Sequence, residues 1–88
     1  MDSETTLLIE LLDLISKCPT VSSQQRDDAA HFSKTVSTMS EMPYEVARLL
    51  VNVKDVIECG PIGYAVSDTK QFHYISIVME AQAILDEH

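Results

Sequence analysis

His73, Ser76 and Glu80 are spaced three and four residues apart, the separation at which side chains share one strip of an α-helix. An imidazole beside a hydroxyl, oriented by a carboxylate, has the residue types of a general base working on a nucleophile. That reading makes His73 the base, Glu80 its orienting partner and Ser76 the hydroxyl. A single helix surface offers no oxyanion donors and no pocket. The strip therefore reads first as solvated surface with weak polar contacts, and a small ligand-binding protein or enzyme using His73 and Glu80 is the alternative. Other chemistry has less to stand on. Gly60 and Gly63 are the only glycines, so no glycine-rich phosphate loop exists. His31, His73 and His88 are far apart, Cys18 and Cys59 are unpaired in sequence, and no Glu-x-x-His pair occurs. The expectation is no enzyme, no metal and no cofactor.

The helix that must position this strip is more informative than the strip. At roughly 100° per residue, Tyr74, Ile77, Val78, Ala81, Ile84 and Leu85 fall on one face of a segment over Phe72–Leu85. Phe72, Ile75 and Met79 fall on a second face, with Ala83 beside them and Gln82 and Asp86 interrupting it. A surface helix of a small monomer normally carries one apolar stripe. Two stripes on one helix point to a neighbour outside the chain. The competing arrangement is a helix sandwiched between the first and third helices, with both stripes inside one molecule.

Eighty-eight residues make a single domain with a modest core. At 45% hydrophobic the composition is a folding one. Fourteen acidic against six basic residues give a net charge of −8. That charge disfavours direct binding to nucleic acid or to an anionic membrane surface, is compatible with a basic partner protein, and by itself promotes solubility. The acids are scattered over all segments, which argues against a mimic of nucleic acid. Asp2 and Glu4 stand where a secretory signal needs a basic region, and the apolar runs are far shorter than the ~18 residues of a membrane span. Cytoplasmic location with reduced, buried, structural cysteines is the expectation.

Four helices are predicted, at about residues 4–17, 24–39, 43–59 and 69–86. In the first, Leu7, Leu8, Leu11, Leu12, Leu14, Ile15 and Cys18 cluster, Glu10, Asp13 and Lys17 lie opposite with Ile9, Asp2 or Ser3 caps the start, and Pro19 forces the end. The second opens on a capping box, Ser22 with Gln25, and has a thin stripe of Ala29, Phe32, Val36 and Met39. The third has Pro43 at its first position, Gly60 just beyond its end and a core face of Val46, Leu49, Leu50, Val53, Val56 and Ile57. Asp68 with Gln71 is a second cap-like pair before the fourth helix. A β-hairpin over residues 62–78 is the rival to loop plus helix, but its turn lacks Asn-Gly or Asp-Gly. The fold class is all-α, a compact bundle or two-hairpin array of about four helices.

Met42-Pro43-Tyr44-Glu45-Val46-Ala47, His73-Tyr74-Ile75, Met79 and Ala83-Ile84-Leu85-Asp86 together resemble the layout of small uncharacterised helical proteins of pseudomonads, over about half of the chain. The group looks like it includes a quorum-sensing anti-activator, which blocks a transcription factor at its dimerisation surface. The resemblance implies a non-enzymatic helical module. From the residues themselves the expected function is a protein–protein interaction module. It would be a regulator that binds and blocks or escorts a partner, of anti-activator, antitoxin, immunity or chaperone type, and a homodimer. Phe72, Ile75 and Met79, with Tyr44, Val51 and Ile9, are the candidate interface residues, because aromatic and Met side chains are enriched in interface centres.

Overall fold

The first helix, α1 (Ser3–Ser16), lays Leu8, Leu11, Leu12 and Ile15 into the interior. The computed structural model describes residues 3–38, 41–62 and 66–87, with the backbone alone at 3, 4 and 37. Asp2, Met39, residues 63–65 and His88 lie outside the described residues, and with them the Asp2 cap and the predicted end of the second helix. Ahead of Pro19, α1 closes with two tightened bonds, Lys17 N–H to Leu14 C=O at 3.2 Å and Cys18 N–H to Ile15 C=O at 3.1 Å. Cys18 and Val21 then turn inward and are buried.

The capping box forms as read. Ser22 Oγ accepts from Gln25 N–H at 3.1 Å, and Gln25 Oε1 accepts from Ser22 N–H at 3.2 Å. It starts α2 (Ser23–Thr35), which gives way to a 3-10 turn at Val36–Thr38. The α-helix thus stops short of the predicted residue 39. Hydroxyls bonded back onto helical carbonyls mark this stretch: Ser33 to Ala30 at 2.8 Å, Thr38 to Thr35 at 2.8 Å. Such bonds compete with the helical ladder. Ala29 is fully buried, and its small side chain lets α2 lie close along α1, the most extensive helix pairing in the molecule.

The predicted third helix is two helices. α3 (Tyr44–Asn52) and α4 (Lys54–Glu58) meet at Val53, whose φ of −110° and ψ of 17° leave the α-helical region. The stretch is rich in β-branched residues of low helix propensity, and burial of Leu50 before the break, Val53 at it and Ile57 after it holds both pieces on the core. Pro43 stands one position earlier than predicted, as the N-cap, extended at ψ 155°. Gly60 follows the end of α4 as expected, but its φ is not positive. Its glycine is needed for close approach: a Cβ there would lie 2.7 Å from Val56 Cα and 3.0 Å from Val56 O.

The closing helix, α5 (Asp68–Glu87), includes the stretch that a hairpin would have required as a strand. Among the described residues there are five α-helices and no strand. The fold is all-α. α1 pairs with α2, α3 and α4 pack on α5, and α1 and α3 also touch α5 and α2 respectively. One core cluster joins both pairs, and Ile62, in the connection before α5, is buried in it. The chain is nearly isometric, 29 × 28 × 27 Å.

Candidate protein-binding face

Three contacts set the orientation of α5 near its start. Ser67, not Asp68, is the cap: Ser67 Oγ accepts from Lys70 N–H at 3.3 Å, and Ser67 C=O accepts from Gln71 N–H at 2.9 Å. Gln71 Nε2 donates to the Glu58 carbonyl at 2.8 Å, tying α5 to the end of α4. Lys70 Nζ reaches Glu10 Oε2 on α1 at 3.2 Å. Glu10 also faces the phenol of Tyr74, whose hydroxyl pairs with its carboxylate. Tyr74 is 1% exposed. Burial, and then the negative charge of Glu10 and this hydrogen bond, push its pKa up, and Lys70 opposes the shift. The sequence reading placed Glu10 on the wet side of α1. The missed signal is that an inward Tyr needs a partner for its hydroxyl, and α1 supplies it.

With this clamp in place, α5 buries Tyr74, Ile77, Val78 and Ala81. On the opposite side, Phe72 is 68% and Met79 67% exposed, and Ile75 is half-buried. The helix is therefore covered on one side only, and the arrangement that would sandwich it inside the chain is not adopted. The two stripes read from the sequence are an inner and an outer face.

Ile9 and Val51 are half-buried and packed against the core. Tyr44, 41% exposed, lines a separate open groove of about 460 Å³ between α2 and α3, with Phe32, Leu49, Arg48 and Asp28. The sequence offered no sign of that groove, because it depends on how α2 and α3 diverge.

His73, Ser76 and Glu80 do lie together, beside Leu7 and Ile77, around a depression of about 80 Å³. Ser76 Oγ donates to the Phe72 carbonyl at 3.1 Å, and no hydrogen bond links the three side chains to one another. Ligand pockets typically span about 300–1,000 Å³. Cys18 is buried, with Sγ 3.1 Å from Thr20 Oγ1, but Cys59 is exposed, so only one of the two cysteines is the buried residue expected. Cys59 stands at the C-terminal end of the short α4, on the surface. Among the described residues no group of His, Cys, Asp and Glu is placed to hold a metal ion, and no helix is long and apolar enough to cross a membrane.

Comparison with protein-family models, curated proteins and solved structures gives no match.

Proposed function

We propose that this protein is a small binding module that acts by docking the outer face of α5 onto another protein, as a regulator that blocks or escorts its target. One observation carries this reading: a phenylalanine and a methionine, each two-thirds exposed, stand with Ile75 on the outer side of a helix whose inner side is fully used. Interface centres draw on these residue types, and small soluble chains seldom leave such a stripe in water. The resemblance of Met42–Ala47, His73–Ile75, Met79 and Ala83–Asp86 to small helical proteins of pseudomonads supports a non-enzymatic helical module. Free thiols at Cys18 and Cys59 suit a cytosolic setting. A net charge of −8 favours a protein target over nucleic acid or an anionic membrane. The depression beside His73 and Glu80 is small for a substrate, which weighs against chemistry there.

The test is affinity capture from the source lysate with wild type and Met79→Glu as baits. Met79 is on the surface, so the variant keeps its helical circular dichroism. A protein retained by wild type and lost by Met79→Glu is the expected result. Identical captures by the two baits would remove the α5 face from the function.

A further inference from the structure

We propose that the open groove between α2 and α3 binds a small zwitterion with an aromatic body, a free aromatic α-amino acid. No residue of α5 is among its described lining, so the site stands or falls independently of the protein-binding face.

The groove is apolar in depth and charged at its rim. Leu49 is buried and Phe32 half-buried against the core, while Tyr44, Glu45 and Arg48 are exposed. Its volume of about 460 Å³ lies within the range of ligand sites, about 300–1,000 Å³. Two aromatic rings, one from each helix, over a leucine suit a third ring, because aromatic pairs gain from edge and offset contacts beyond simple burial.

Charge selects what the ring must carry. Glu45 and Arg48 are three residues apart on α3, so their side chains are neighbours on one strip of that helix. Both line the groove, with Asp28 of α2. Opposite charges so placed can close on each other, and here they stay open. Among the described residues the ion pairs are Lys17–Asp13 and Lys70–Glu10, and neither Glu45 nor Arg48 makes a hydrogen bond. Asp28 uses Oδ1 to accept from Gln24 Nε2 at 2.9 Å, and its other oxygen has no partner there. A lone anion would meet two carboxylates beside Arg48, on a chain of net charge −8. A lone cation would press against Arg48. A zwitterion is neutral overall and satisfies both signs. Its carboxylate takes the planar Arg48 fork, which matches it bidentately, and its ammonium takes Asp28 and Glu45.

Amide NMR titration of the whole protein with L-phenylalanine tests the proposal. Shifts confined to α2 and α3 are expected, with a midpoint of about 1 mM for so open a site. Three analogues each remove one element: 2-phenylethylamine the carboxylate, 3-phenylpropionate the ammonium, glycine the aromatic body. Each should bind at least about 10-fold more weakly, as a charged or apolar group of the groove is left without its partner. Arg48→Gln should abolish the preference for phenylalanine over phenylethylamine. Asp28→Asn combined with Glu45→Gln should abolish the preference over phenylpropionate. Phenylethylamine binding as tightly as phenylalanine would overturn the proposal and leave a cation site, and so would a preference that survives Arg48→Gln. With wild type alone, shifts that lie outside α2 and α3, or none at phenylalanine about tenfold above that midpoint, would overturn it as well.

Discussion

Tyr74 brings its hydroxyl into the interface between α1 and α5, where Glu10 receives it and Lys70 balances the carboxylate. The Lys70–Glu10 pair is half in water and adds at most about 1 kcal/mol, so the phenol is the telling member. An unfolded tyrosine titrates near pH 10, and burial beside Glu10 holds the folded value above that. The unfolded chain therefore releases this proton first. The stabilisation is fully present below about pH 10 and is lost as pH rises through the folded pKa. Urea unfolding of wild type between neutral pH and pH above 10 should show a steeper loss of stability than Tyr74→Phe. At neutral pH, Tyr74→Phe should cost about 1 kcal/mol for the lost hydrogen bond. Parallel pH profiles for the two proteins would dismiss this account. Tyr74 was legible as an inward residue from its i, i+3, i+4 companions. Its partner was not, since Glu10 is 64 residues away and only the approach of α1 to α5 joins them.

Each helix is stopped and started by a local device, and these differ in how far they can be read. The Ser22–Gln25 capping box is a strictly local motif, with both bonds inside four residues. Ser22→Ala should lower stability by about 1 kcal/mol, and Ser22→Asp should retain most of it; the urea midpoints of the two variants check this. Pro19, too, acts where it stands. The interruption at Val53 was not legible, because no glycine or proline marks it. There the packing of Val53 and Ile57 onto the core overrides a pattern of apolar residues that runs on as one helix. Gly60 marked the right boundary for a different reason, as contact with the Val56 backbone rather than a left-handed turn decides its identity.

As a whole, the molecule is two helix pairs, α1 with α2 and α3–α4 with α5, sharing one apolar cluster. No buried side-chain nitrogen or oxygen among the described residues lacks a hydrogen-bond partner, so cohesion rests on apolar packing. Small domains have total stabilities of about 5–15 kcal/mol. Leu50, in the last turn of α3, is fully buried. Leu50→Ala should cost about 2–5 kcal/mol through lost burial and a residual cavity, a large part of that total, measured by the urea midpoint at constant slope. A loss below 1 kcal/mol would mean that the site collapses around the smaller side chain and that the two pairs are not rigidly joined there.

The sequence by itself determined the helical class, the capping at Ser22, the inward faces of α1, α3 and α5, and the two-sidedness of α5, because each follows from the 3.6-residue period and from interactions within one turn. Only the tertiary structure decided that α5 is not sandwiched inside the chain, that Tyr44 belongs to a groove apart from Phe72 and Met79, and that Glu10 serves α5. Those outcomes depend on how helices distant along the chain are set against one another, a matter of packing geometry that no local pattern contains.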